Sequence, residues 1–124
     1  MIKHTELRCG NLHEYYIEDK HDERKAWWEV SVIDWNDLRY LEEHPEDNFY
    51  RFIPLSEEWL IRAGFEKYSD KEFYIYTSKE NEVRFYKSDS DWNLAYFITE
   101  TRYVHQLQNL YFWLTGEELT FKDL

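Results

Sequence analysis

An α+β fold is the expectation for this chain: an N-terminal small β-barrel-like hairpin region, a short helix, then an antiparallel three-stranded sheet covered by a C-terminal helix. Three observations predict it. Aromatic and β-branched runs alternate with short polar clusters from residue 12 to residue 99. Ser56 precedes two acids and an apolar run that ends at Gly64. Close to the end, Val104, Leu107, Leu110, Tyr111 and Leu114 recur at the three- and four-residue steps that line one face of a helix. The length of 124 residues fits one domain, 1–124, with a β-rich, acidic part over 1–55 and a helix–meander–helix part over 56–124.

Each element follows from local chemistry. Residues 12–18 carry strand-type aromatic and β-branched side chains and run into a charged turn at 19–25. Residues 27–33 set Trp28, Val30 and Val32 against Trp27, Glu29 and Ser31, the alternation of a half-buried strand, so the two segments predict a hairpin. Residues 34–47 read as loop or irregular structure, and 49–53 as a short strand before Pro54. Ser56 is an N-cap for a helix over 57–63, with Glu57 and Glu58 at the positive end of its dipole and Gly64 closing it. Strands follow at 72–78, 82–87 and 92–99, separated by polar turns at 79–81 and 88–91. The last helix covers 103–114, with Gly116 placed to end it in a left-handed residue. His105 is expected at the surface or boundary of that helix.

The run Tyr103-Val104-His105-Gln106-Leu107-Gln108-Asn109-Leu110-Tyr111-Phe112, followed by Leu114-Thr115-Gly116-Glu117-Glu118-Leu119, resembles the C-terminal signature of a family of small proteins from Bacteroidota genomes and their phages. Glu6-Leu7-Arg8-Cys9-Gly10-Asn11-Leu12 resembles the family's opening, and Ile53-Pro54-Leu55-Ser56-Glu57-Glu58-Trp59-Leu60 with Gly64-Phe65 its middle landmark, in the same order. The resemblance implies a chromosomal or phage-borne origin and a small α+β fold, and almost no chemistry. Residues 12–52 depart from the family by being longer, more acidic and richer in Trp, and a specific activity is expected there.

Composition narrows the function. One fifth of the residues are aromatic, against three Gly and two Pro, which describes a folded chain with more rings than a core of this size can hide. Cys9 is the only cysteine, so no intramolecular disulfide is expected, and no apolar leader or membrane-length run is visible. The expectation is a cytoplasmic protein. The net charge of −11 repels phosphate backbones and attracts basic protein surfaces, although solubility alone also accounts for it.

Catalytic and metal chemistry finds little support. Three isolated glycines make no phosphate loop, and His4, Cys9 and His13 lack the paired spacing of a zinc site, so Cys9 is expected to pack as a buried small hydrophobe. Adjacent carboxylates such as Glu57-Glu58 and Glu117-Glu118 diverge on helices and strands. Ser31 and Ser56 have no evident His-Asp setting. No enzyme, cofactor or metal is expected.

The segment from Asp34 to Tyr50 carries the functional expectation. Asp34, Asp37, Glu42, Glu43, Glu46 and Asp47 face a single base, Arg39, and are interleaved with Trp35, Tyr40, Phe49 and Tyr50. Spaced carboxylates imitate a phosphate backbone, and aromatic faces stand in for bases or anchor in apolar pockets. The expected partner-binding residues are Asp34, Trp35, Asp37, Tyr40, Glu42, Glu43, Glu46 and Asp47, with residues 19–23 adjoining. The expected partner is a basic, nucleic-acid-handling host protein, such as an RNA-guided nuclease effector, inhibited in the manner of anti-CRISPR or other anti-defence proteins. The competing expectation for this segment is an acidic surface loop with inward aromatics. Two alternatives belong to other classes: a nucleic-acid-binding module using Arg84, Phe85, Tyr86, Lys87, Arg102 and Tyr103, and a structural phage protein that homodimerises through a helix face.

Overall fold

A computed structural model describes residues 6–18, 21, 25–77, 82–88, 91–94 and 100–124, with side chains at 88, 91–94 and 100 excepted. The charged turn at 19–25 (in most of its length), the turn at 79–81, the second half of the strand predicted at 92–99, and His4 lie outside these residues. The α+β class holds. The chain forms two compact units, residues 1–53 and 54–124.

In the first unit, β1 (Leu12–Glu18) pairs antiparallel with β2 (Ala26–Val32), placing Leu12 opposite Val32 and Glu18 opposite Ala26. On its other side β1 pairs with β3 (Tyr50–Arg51), giving the order β2-β1-β3. This is an open sheet; the described residues close no barrel. β2 departs from the half-buried expectation. It lies at the sheet edge with one neighbour, and Trp27, Val30 and Val32 are exposed while Trp28 is half-buried. The predicted strand at 49–53 shrinks to the two residues that β1 can pair.

Between β2 and β3 runs α1 (Trp35–Glu43), in place of the loop or irregular structure expected over 34–47. Its start is a reciprocal capping box. The Asp34 carboxylate accepts from the Asp37 N–H at 2.9 Å, and the Asp37 carboxylate accepts from the Asp34 N–H at 2.9 Å. Leu38 and Leu41, three residues apart, turn inward against Leu7, Ile33, Tyr50 and Phe52. Of the four apolar or aromatic side chains within these nine residues only two turn inward, Trp35 and Tyr40 being exposed, which leaves too thin a stripe for periodicity to reveal.

The second unit starts with α2 (Glu57–Arg62), capped by Ser56 as expected, its Oγ accepting from the Trp59 N–H at 3.5 Å. A sheet of five strands follows in the order β4 (Glu66–Ser69), β5 (Glu72–Tyr76), β6 (Glu82–Ser88), β7 (Asp91–Leu94) and β8 (Glu100–Thr101), all antiparallel. The predicted meander is its centre. β4 escaped the sequence reading because all four of its residues are exposed and show no alternation, and β8 is only two residues long.

Register sorts the sheet faces. Phe73 lies opposite Phe85 and Ile75 opposite Val83; Phe73, Phe85 and Val83 are buried, with Phe65 edge-on to Phe85 at 5.6 Å. Glu72, Tyr74, Arg84 and Tyr86 occupy the other face, where Arg84 pairs with Glu72 at 3.1 Å and with Glu82.

α3 (Val104–Thr115) follows the predicted bounds closely. Its buried stripe is Val104, His105, Leu107, Gln108 and Tyr111, whereas Leu114 is exposed and Leu110 half-buried. The buried face is therefore rotated from the one that the leucines suggested, and it draws in two polar side chains. Gly116 ends the helix at φ +74°, its N–H donating to the Phe112 carbonyl at 2.7 Å. An added Cβ would meet nothing within 4 Å, so only the backbone conformation resists substitution. Gly116→Ala is expected to cost roughly 1–2 kcal/mol, read as a lowered urea midpoint with an unchanged slope.

Candidate functional site

The eight predicted partner-binding residues all lie on α1 or its flanks, and the structure divides them into two groups. Asp34 and Asp37 form the capping box. Asp37 also accepts from the Tyr50 hydroxyl at 2.7 Å, which ties the helix to β3. Asp47 accepts from the Tyr40 hydroxyl at 2.5 Å and from the Phe49 N–H at 2.7 Å, so it organises the turn after the helix. These residues hold the segment in shape.

Trp35, Glu42, Glu43 and Glu46 form the second group and project to solvent, Trp35 with 70% of its surface exposed. Glu43 meets Arg39 at 3.4 Å, an exposed pair of the kind that adds little stability. Tyr40 spans both groups: its hydroxyl is held by Asp47, while its ring stacks on His44 at 4.3 Å and stays partly open.

The placement of the outward acids matters. Glu42 and Glu43 occupy the last turn of α1, where the helix dipole is negative and which holds no basic residue of its own, Arg39 one turn back pairing with Glu43. Carboxylates there weaken the helix. Asp34, at the opposite end, is where the dipole favours an acid, and hydrogen bonds headed by the one from the Asp37 N–H hold its carboxyl below the usual carboxylate range.

Beneath the helix lies a network that sequence reading did not anticipate. His13 is buried and stacked on Tyr50, with ring centroids 4.9 Å apart and planes at 17°. Burial lowers its pKa against the opposing charges of Asp37 and Asp34. Tyr50 is raised above the ordinary phenol range, first by burial and then by the bond to Asp37. Tyr15 meets Tyr50 edge-on at 5.0 Å. The Asp34-x-x-Asp37 spacing ahead of Leu38 and Leu41 was the one sequence signal for this arrangement. The contact between His13 and Ser31 runs to the Ser31 backbone.

Other sequence candidates separate. Cys9 is exposed, contrary to the expected packing, because it sits in the turn with Gly10 ahead of β1. Among the described residues no group of three or more His, Cys, Asp and Glu could hold a metal ion. For the nucleic-acid alternative, Phe85 is in the core and Arg84 is held by two carboxylates, leaving Tyr86, Lys87 and Arg102 exposed. For the dimer alternative, α3 exposes Phe112, Trp113 and Leu114 at its C-terminal end. No described helix is long and apolar enough to cross a membrane. Compared with known proteins, the chain matches no family model, no curated protein and no solved structure.

Proposed function

We propose that this protein is a non-catalytic binder that occupies a basic, nucleic-acid-handling protein through α1 and the turn after it, acting as an acidic mimic of a nucleic-acid strand. One observation carries the reading. Glu42 and Glu43 sit at the helix end where its dipole disfavours them, ahead of the exposed Glu46, and the exposed ring of Trp35 stands at the other end of the same helix. A local rule broken without a compensating gain is what a recognition surface leaves behind. The spacing of these acids suits a lysine- or arginine-lined channel, where release of solvent from Trp35 adds an apolar anchor. The net charge of −11 speeds encounter with such a surface. Inhibition of that partner, in the manner of an anti-defence protein, is part of the same proposal and rests on the acidic segment, the resemblance bearing only on a phage-borne origin.

The test is affinity capture from a Bacteroidota lysate, followed by a binding titration with the recovered partner. The triple variant Glu42→Lys, Glu43→Lys, Glu46→Lys is expected to lose at least about 100-fold in affinity. At the same time it should gain a few tenths of a kcal/mol in stability, because the lysines suit that helix end. Asp37 and Asp47, which hold the segment in shape, are left intact, and a urea midpoint no lower than that of the unaltered protein separates a loss of binding from unfolding. Undiminished affinity, or recovery of nucleic acid alone, rejects the proposal. If Phe112→Ser and Trp113→Ser instead change the mass by light scattering, the dimer reading gains.

A further inference from the structure

On the face of the sheet that carries Leu12, Glu14, Tyr16 and Glu18, the protein already holds one guanidinium. The Arg51 side chain lies over the Trp28 ring, 3.9 Å from its centroid, and pairs with Glu14 at 2.8 Å. Trp28 adjoins Tyr16 at 5.1 Å, and Tyr16 adjoins Phe49 at 6.0 Å, so an aromatic row continues past Arg51. Along β1, side chains two apart share a face, which puts Glu18 beyond Tyr16 as Glu14 stands before it. The arrangement of a carboxylate beside aromatic rings thus occurs twice on one strand. At the second occurrence, along the edge of β1 where Tyr15 and Ile17 of the other face also take part, there is an open pocket of about 270 Å³ lined by Tyr15, Tyr16, Ile17, Glu18 and Phe49. Phe49 is 43% exposed there, and its carbonyl accepts from the Tyr16 N–H at 2.8 Å, which fixes its place beside β1.

We propose that this pocket receives an arginine or lysine side chain of a protein partner, held by the Tyr16 and Phe49 rings and the Glu18 carboxylate. The volume falls just below the roughly 300–1,000 Å³ of pockets for drug-sized ligands, and suits one side chain. Ring faces carry negative potential and a carboxylate adds a full charge, so a cation is preferred over a neutral or anionic group. Arg51 over Trp28 shows the same chemistry satisfied within the chain. This site deepens the reading of a basic partner and rests on it, adding a second contact on the same unit as α1's acids.

The test uses the full 15N-labelled chain titrated with N-acetyl-arginine-methylamide, and in parallel with its citrulline analogue, which has nearly the same shape without the charge. Saturable amide shifts at Tyr16, Ile17, Glu18 and Phe49 with the arginine probe, and none with citrulline, are expected. Glu18→Gln and Phe49→Ala should each weaken the arginine probe roughly three- to five-fold, with the remaining spectrum unchanged. The Glu42, Glu43, Glu46 triple reversal should leave it unchanged. Equal response to citrulline, or shifts confined to α1, overturns the proposal. The two readings fail separately: a silent pocket with intact, α1-dependent capture rejects only the pocket, and a responsive pocket without α1-dependent capture rejects only the mimicry.

Discussion

Replacing Asp37 with alanine is expected to destabilise the first unit by roughly 2–4 kcal/mol. One carboxylate performs two tasks there. One of its oxygens accepts from the Asp34 N–H at the start of α1, and the other accepts from the Tyr50 hydroxyl. Losing the cap costs about 1 kcal/mol, and stranding a largely buried phenol donor adds about 1–3 kcal/mol. Asp37→Asn retains an acceptor for Tyr50 and is expected to recover part of the loss. Tyr50→Phe removes the stranded donor, so the double variant Asp37→Ala, Tyr50→Phe should be less destabilised than the two single effects added together. Urea titrations of the four proteins measure this coupling. Additive effects would show that Tyr50 and Asp37 do not act as one unit, and the tie between α1 and β3 would have to lie elsewhere.

Acid is expected to weaken the second unit through His105. This side chain is fully buried in α3, and burial alone holds its pKa at about 4 against 6.5 in an open chain. Between those values the unfolded chain binds the proton and the folded chain does not. Stability therefore rises with pH across this window: the contribution is fully present above pH 6.5 and is lost as pH falls toward 4. A gap of that width corresponds to about 3 kcal/mol at most. His13 acts in the same direction in the first unit, with Asp37 and Asp34 moderating the effect of burial. His105→Leu removes the proton-binding group, so its stability should fall less steeply between pH 6.5 and pH 4 than that of the unaltered protein. The slope is the measurement, since the variant's stability at pH 7 also reflects altered packing. Parallel curves for the two proteins would show that His105 remains protonated inside the fold.

How far the sequence reaches can be judged element by element. β1, α2 and α3 were legible because their signals are local. β1 carries a run of strand formers, Ser56 and Gly64 bracket α2, and α3 couples an apolar repeat to Gly116. The central strands β5, β6 and β7 were legible for the same reason, being separated by polar turns. Several features, beside the two-residue β8, were not. α1 keeps only Leu38 and Leu41 inside, and its capping box uses Asp at both positions where a Ser or Thr and a Glu would have stood out. β4 exposes every residue, so alternation has nothing to report. β2 shows alternation in sequence yet lies at an edge, where sheet order decides burial. The buried face of α3 takes His105 and Gln108 in place of Leu110 and Leu114, because the surface it meets sets its rotation.

The candidate site divides along the same line. That residues 34–50 concentrate carboxylates and rings around a single base is legible from the chain alone, since charge and composition do not depend on folding. Which of those acids are available depends on the fold. Asp34, Asp37 and Asp47 are spent on caps and phenol hydroxyls, whereas Glu42, Glu43 and Glu46 face solvent. The reason is physical: a carboxylate's role follows from the donors that the fold brings within hydrogen-bond distance, and those donors, Tyr50 for Asp37 and Tyr40 for Asp47, are 13 and 7 residues away along the chain.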